Sequence, residues 1–157
     1  MGVEEGRAFF RERGLEARVM EFEVSSATVE LAARAVGVEG ARIAKTLSFK
    51  TREGAALLVL AAGDARIDNK KFKAAFGFKA KMLSPEELLE LVGHPAGGVC
   101  PFGIKGGVEV RLDESLRRFE TVFPAVGSGS SAIELSLEEL YEYSGAGGWA
   151  DVTNTVY

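Results

Sequence analysis

The segment from Gly93 to Ile104 holds the residues of this sequence whose types and spacing best suit chemistry. It reads GHPAGGVCPFGI, with four glycines and two prolines in twelve residues. Glycine permits positive φ and a close approach to the backbone, while proline fixes φ and removes a hydrogen-bond donor. The composition therefore predicts a shaped loop whose own N–H groups face a ligand. An ordinary turn has the same composition, so the loop by itself does not establish a site.

The single cysteine and the single histidine of the chain, Cys100 and His94, both lie in this loop. A cysteine nucleophile needs a nearby base that a third group orients. The sequence offers no such group, so we expect Cys100 to be a small residue that lines the loop. His94 has two open roles, a general base or a polar residue that caps backbone groups. One cysteine excludes an internal disulfide, and one cysteine with one histidine cannot form the usual zinc site.

Lys45 is the second candidate. It lies in Ile43–Lys50 (IAKTLSFK), a β-branched and aromatic segment that predicts a strand. A strand lysine commonly extends to solvent, but at the mouth of a pocket its ammonium group suits a phosphate. Together with a loop of free N–H groups it predicts one site, with a cation for a phosphate and backbone dipoles for a carbonyl or oxyanion.

Charge is distributed unevenly along the chain. The net charge is −4, yet the stretch from Arg66 to Lys81 carries six positive residues against one acid, Asp68. This stretch predicts a basic face that could receive a polyanion, although a solvated helix face has the same pattern. The N-terminus lacks an apolar signal segment, and the longest apolar run, Ala55 to Ala62, is too short to span a bilayer. We therefore expect a cytoplasmic protein with no membrane partner.

Periodicity and capping residues predict the elements that position these residues. Helices are predicted over Glu4–Arg13, from Val29 to Val36 behind the caps Ser25–Thr28, from Asp68 to Gly77, and behind the capping boxes at Ser84 and Ser136. Strands are predicted over Ala17–Glu23, Ile43–Lys50, Ala55–Ala62, Val108–Leu112, Glu120–Phe123 and Ala132–Leu135. Since the helices and strands do not alternate as βαβ units, the pattern predicts a mixed α+β domain over residues 1–157 with a partly closed sheet.

Three motifs in this order resemble the YbaK family. They are the Ala44–Leu47 strand, the loop Gly97–Gly103, and the Gly127–Ser130 segment that precedes Ile133-Glu134-Leu135. The family comprises the editing domain inserted in bacterial prolyl-tRNA synthetases and its free-standing relatives. The resemblance covers nearly the whole chain and implies a barrel-like mixed sheet flanked by helices. It also implies hydrolysis of the ester that joins a wrong amino acid to the 3′ adenosine of a tRNA, without a metal or cofactor.

Carried over residue by residue, the resemblance places the family's lysine on Lys45, which would hold the phosphate of the terminal adenosine. The family's GxxxP loop falls on Gly97–Pro101, whose amides would position the aminoacyl carbonyl and stabilise the developing negative charge. The neighbouring hydroxyl of the substrate ribose would help to activate water. The expected catalytic residues are thus Lys45, Gly97, Gly98, Val99, Cys100 and Pro101. Substrate binding is expected at Lys45, His94, Phe102, Gly103, Gly127, Ser128, Gly129 and Ala132, and tRNA binding at Lys70, Lys71 and Lys73.

One position departs from a branch of the family. Members specific for cysteinyl-tRNA carry an aspartate just before the Ile-Glu-Leu segment, where this chain has Ala132. The expected substrate is therefore a mischarged tRNA, with tRNA-Pro carrying a small amino acid as the leading choice and prolyl-tRNA synthetase as a possible partner. No synthetase module is present in the 157 residues, so the expected action is in trans. A non-catalytic module that binds tRNA or a synthetase, and a hydrolase of another small ester or amide, are the alternatives.

Overall fold

The computed structural model describes residues 2–23 and 28–155. The centre of the fold is an antiparallel hairpin of β2 (Ile43–Lys50) and β3 (Ala56–Ala62), which pair from Ala44↔Ala62 to Lys50↔Ala56. All of β3 is buried, as its continuous apolar run predicts. The turn between the strands ends at Gly54, whose φ of 81° favours glycine.

The hairpin forms the middle of a six-stranded sheet with the order β8-β6-β2-β3-β5-β9. The outer strands are β5 (Glu109–Asp113), β6 (Thr121–Pro124), β8 (Leu135–Ser136) and β9 (Trp149–Ala150). β5 runs parallel to β3 and β6 runs parallel to β2, whereas β8 is antiparallel to β6. Two short antiparallel pairs complete the strands: β1 (Met20–Glu21) with β7 (Ser131–Ala132), and β4 (Ala65–Ile67) with β10 (Thr153–Thr155).

Four of the five α-helices of the described residues begin at the capping side chains that the sequence predicts. The five helices are α1 (Val3–Arg11), α2 (Val29–Val36), α3 (Asn69–Phe76), α4 (Pro85–Leu91) and α5 (Leu137–Ser144). Thr28 and Asp68 accept hydrogen bonds from the first turns of α2 and α3. Ser84 and Ser136 form capping boxes with a glutamate three residues on. None of these helices has both the length and the apolar character needed to span a membrane.

Alternate residues of β2 and β3 pack on opposite faces of the sheet. One face, with Ala44, Leu58 and Leu60, contributes to the main core, which also contains Phe10 of α1 and Phe102 of the glycine–proline loop. The other face, with Phe49, Leu57 and Val59, packs against Phe72 of α3 and Val152. The sheet therefore holds α3 on one side and the loop on the other.

The mixed α+β class with a curled sheet flanked by helices is confirmed, and so are the five predicted helices and the central hairpin. The strand predicted over Ala17–Glu23 is wrong in extent, because Glu16–Arg18 forms a 3-10 turn and only Met20–Glu21 pairs. The strand predicted over Ala132–Leu135 splits into β7 and β8, which pair with different partners. α1 ends at Arg11 rather than Arg13. The predicted caps Ser25 and Ser26 lie outside the described residues.

Candidate active site

A cavity of about 360 Å³ opens between β2, α2 and the glycine–proline loop. Its walls are mostly apolar, with small side chains such as Ala32, Ala44 and Ala132 beside larger ones such as Phe123. The predicted Lys45, Gly97 and Val99 also line it. The structure thus brings the strand motif, the loop motif and Ala132 to one cavity.

The edge of β2 faces this cavity because its neighbouring strand ends early. β6 pairs with β2 only at Ile43 and Ala44, and further along the edge Ser48 O accepts a hydrogen bond from Leu83 N–H. Thr46 lies between these contacts and lines the cavity. Its buried Oγ1 has no hydrogen-bond partner within the described residues. Sequence reasoning missed Thr46, although a hydroxyl in a strand with apolar neighbours was a signal.

The loop presents main-chain donors to the cavity. A turn places Gly98 N–H on Pro95 O at 3.2 Å, and Gly97 adopts a φ of 88° that a side chain would strain. The N–H groups of Gly97 and Val99 have no acceptor in residues 2–23 or 28–155. Since both residues line the cavity, these donors are available to a carbonyl or oxyanion bound there.

The second predicted glycine segment, Gly127–Ser130, packs against the loop at Gly98. A Cβ on Gly98 would lie 2.4 to 2.6 Å from backbone atoms of Ser128, so only glycine permits this approach. The segment is held by the buried Ser131, whose Oγ accepts from Val126 N–H at 3.0 Å and donates to Ser128 O at 3.1 Å. Gly127 in turn packs against the backbone of Gly2. Ser131 was not predicted, because its role depends on a contact between distant loops.

The predicted side chains of His94, Cys100 and Phe102 lie on the core side of the loop and are fully buried. His94 Nε2 lies 2.7 Å from Phe102 O, and Cys100 Sγ lies 3.5 Å from Nε2. Because a carbonyl only accepts, Nε2 is the donor, which leaves Nδ1 as an acceptor with no partner in the described part of the chain.

Burial lowers the pKa of His94 and raises the pKa of the Cys100 thiol to about 12. Neither an imidazolium nor a thiolate is therefore favoured at neutral pH. Pro101 is buried as well, and Gly103 packs on the backbone of Glu5. The loop thus has two sides, with Gly97 and Val99 at the cavity and the side chains from Cys100 to Phe102 in the core.

Lys45 is half-buried at the mouth of the cavity. Its Nζ donates to Ala65 O and, at 3.5 Å, to Gly63 O. Burial lowers the pKa of Lys45, and the charge of Arg66 acts in the same direction. The turn that receives Lys45 is fixed by Asp64, which binds the Arg118 guanidinium through both carboxylate oxygens at 2.5 and 2.9 Å. Two of the three ammonium hydrogens therefore have acceptors, and within residues 2–23 and 28–155 the third has none and is available to a ligand.

The three predicted tRNA-binding lysines of α3 do not share one surface. Lys71 Nζ donates to Thr153 O at 2.9 Å and to Asp151 at 3.2 Å. Lys70 and Lys73 line a separate depression together with Lys79. In the described residues, no three His, Cys, Asp or Glu side chains converge as a metal site would require.

Comparison with known proteins identifies the class. The family model "Aminoacyl-tRNA editing domain" matches residues 23–143, which is most of the chain and includes β2, the loop and the Gly127–Ser131 segment. The chain therefore belongs to the aminoacyl-tRNA editing domain family.

Similar individual proteins lie within this class. The uncharacterized protein YwhH of Bacillus subtilis (strain 168) is 55% identical over 152 residues, which is 97% of each chain. EbsC of Enterococcus faecalis, named as a proposed Cys-tRNA(Pro)/Cys-tRNA(Cys) deacylase, is 28% identical over 80% of this chain and 77% of its own length. A solved structure described as a proposed trans-editing enzyme for prolyl-tRNA synthetase superposes with a TM-score of 0.86 at 32% identity, and the match covers 97% of this chain and 96% of that one.

Proposed function

We propose that this protein hydrolyses the aminoacyl ester of a mischarged tRNA in trans, with tRNA-Pro carrying a small amino acid as the substrate. The observation that carries this proposal is the cavity itself. One wall has the backbone N–H groups of Gly97 and Val99, which have no acceptor within residues 2–23 and 28–155, and the Lys45 ammonium group lies at its mouth. The family membership and the similar trans-editing structure support the same reaction. A role in tRNA editing would place the protein in the cytoplasm.

The reaction needs no protein nucleophile. Water attacks the ester carbonyl, and the carbonyl oxygen becomes an oxyanion that accepts hydrogen bonds from Gly97 and Val99 N–H. The C–O bond to the ribose then breaks, and the ribose oxygen takes a proton, so the products are the free amino acid and an uncharged tRNA. The neighbouring ribose hydroxyl, rather than His94 or Cys100, would assist proton transfer. Preorganised donors of this kind are worth about 10²–10³ in rate each.

Lys45 would bind the phosphate of the terminal adenosine with its remaining ammonium hydrogen. Because Gly63 O and Ala65 O already orient the group, little side-chain freedom would be lost on binding. Lys45 would thus set the distance between the adenosine and the loop, so that the carbonyl meets the N–H groups.

The walls of the cavity favour a small uncharged amino acid. Ala32, Ala44 and Ala132 leave it apolar, and the described lining residues include no carboxylate that would bind a charged side chain. Alanine and serine are the candidates that this chemistry suits, together with cysteine, which the name of EbsC suggests. An apolar pocket separates such residues by only about 10–200-fold, so the assay must compare them directly.

The test is a deacylation assay on a panel of mischarged tRNAs with Lys45→Ala and the control Lys105→Ala. Lys105 is exposed, and its Nζ bonds to Glu90 O away from the cavity. We expect the release of the amino acid to be lost in Lys45→Ala and unchanged in the control, with both variants folded. Equal turnover by Lys45→Ala and the wild-type protein would refute the proposal. Binding of tRNA without hydrolysis of any substrate would favour a non-catalytic module instead.

A further inference from the structure

We infer that a cationic groove running from the cavity across β4 and α3 holds the phosphodiester backbone of the single-stranded nucleotides that precede the terminal adenosine. The groove consists of Lys45, Arg66, Lys70, Lys73 and Lys79 with the apolar residues between them. This inference rests on the proposed function, because it assumes that the terminal adenosine occupies the cavity. It assigns a binding surface that continues from the mouth of the cavity and is separate from the face that carries Lys71.

The groove is continuous because neighbouring depressions share residues. The first depression shares Lys45, Leu47 and Met82 with the cavity and continues to Arg66 and Asn69. The second depression shares Asn69 and Ala80 with the first and is completed by Lys70, Lys73 and Lys79. A chain that leaves the mouth of the cavity at Lys45 can therefore follow a recessed path to α3.

The charged residues that line the two depressions are all cations, since no carboxylate of the described residues lines either one. The charges of Asp64 and Glu30 act on Lys45, where the groove begins. The acids closest to the groove in sequence have other partners: Asp64 binds Arg118, and Asp68 accepts from Lys71 N–H and from Asn154. Within the described ranges, Arg66, Lys70, Lys73 and Lys79 form no ion pair, whereas Lys71 pairs with Asp151 on another surface. Unpaired cations in a recess concentrate a polyanion.

The floor of the groove suits nucleotides rather than an acidic peptide. Between the cations lie apolar side chains, including Leu47, Ile67 and Met82, which is 58% exposed. A cationic groove with apolar contacts for bases and riboses is typical of sites for single-stranded nucleic acid. When the 3′ adenosine of a tRNA is bound in the cavity, the nucleotides that precede it must leave the cavity beside Lys45. The groove begins at Lys45, so it is the recess that these nucleotides would enter.

The experiment measures binding of an uncharged, fluorescently labelled acceptor-stem hairpin that carries its single-stranded 3′ end. The double variant Lys70→Ala/Lys73→Ala is compared with the control Lys105→Ala over a range of salt concentrations. Each lost phosphate contact should reduce the slope of log affinity against log salt by about 0.7 for a single strand, hence by about 1.4 for two. We expect binding at least about tenfold weaker at low salt, with the control unchanged. Equal affinity and slope in the double variant and the control would overturn the inference.

A second RNA identifies the occupant. A hairpin that lacks the single-stranded nucleotides also lacks the adenosine that Lys45 binds, so it should bind the wild-type protein no more tightly than the full hairpin binds the double variant. If the shortened hairpin binds as tightly as the full one, the groove binds either double-stranded RNA or no RNA. In both cases the inference that it binds single-stranded nucleotides is wrong. Thermal unfolding of each variant controls for folding. Since Lys70 and Lys73 are both exposed and form no ion pair within the described residues, we expect the double variant to lose no stability.

Failure of this inference is distinguishable from failure of the proposed function, because the binding assay uses uncharged RNA. If the wild-type protein deacylates mischarged tRNA but its RNA affinity does not depend on Lys70 and Lys73, the groove inference is wrong and the deacylase proposal stands. If RNA binding depends on salt and on these lysines but no deacylation occurs, the groove inference stands and the deacylase proposal is wrong.

Discussion

Replacing Gly98 with alanine tests whether the position of the loop sets the rate of the proposed reaction. A Cβ at this position would lie 2.4 Å from Ser128 Cα and 2.5 Å from its carbonyl carbon, while ordinary contact begins at 3.4 Å. Both contacts are with backbone, which no side-chain rotation can relieve. The loop and the Gly127–Gly129 segment must therefore separate by about 1 Å.

This displacement of the loop also moves its hydrogen-bond donors. Gly97 and Val99 flank Gly98, and both N–H groups would move relative to a substrate that Lys45 holds in place. A misplacement of 1 Å costs about 10²-fold, which equals about 2.7 kcal/mol in activation free energy. We expect kcat to fall about 100-fold with KM little changed, because the adenosine anchor is untouched.

Gly106→Ala is the matched control for this variant. Apart from Gly106 and its two chain neighbours, no described residue has a heavy atom within 4 Å of a Cβ at Gly106, and its φ is not positive. Steady-state deacylation and thermal unfolding are measured for both variants. A folded Gly98→Ala protein that deacylates at the rate of Gly106→Ala would refute the reasoning, since it would show that the contact with Ser128 does not set the loop position.

The elements were predictable because their signals are local. The capping boxes that begin at Ser84 and Ser136 are visible within four residues of sequence, and the continuous apolar run of β3 indicates a strand that is buried on both faces. Lys45 and the Gly97–Pro101 loop were singled out from their residue types and from the family resemblance, and Lys45, Gly97 and Val99 line one cavity. The short strands β4 and β10 were not predicted, because they pair with each other across more than half of the chain.

The two sides of the loop could not be read from composition. Gly97 and Cys100 are three residues apart, yet one faces the cavity and the other the core, because Gly98 is drawn against Ser128 and His94 is bound to Phe102 O. The access of Thr46 to the cavity depends on where β6 stops pairing with β2. Helix periodicity alone separates Lys71 from Lys70 and Lys73, but the ion pair of Lys71 depends on the path of the chain after β9, which brings Asp151 to α3. The sides of the loop, the access to Thr46 and this ion pair all depend on long-range contacts that no local pattern encodes.

Two further predictions concern the buried side of the loop. Cys100 should resist alkylation by iodoacetamide at about pH 8 in the folded protein and react only in denaturant, because burial raises its pKa to about 12 and a thiolate is required; equal labelling rates in both conditions would contradict this burial. His94 should make stability depend on pH. Because burial lowers its pKa, the unfolded chain binds this proton more readily than the folded protein, so stability is full above about pH 6.5 and falls as the pH drops below it. His94→Gln retains a donor for Phe102 O but does not titrate. Its midpoint of thermal unfolding should therefore decline less than that of the wild-type protein between about pH 7 and pH 5, and parallel declines in the two proteins would show that His94 is protonated in the folded state as easily as in the unfolded chain.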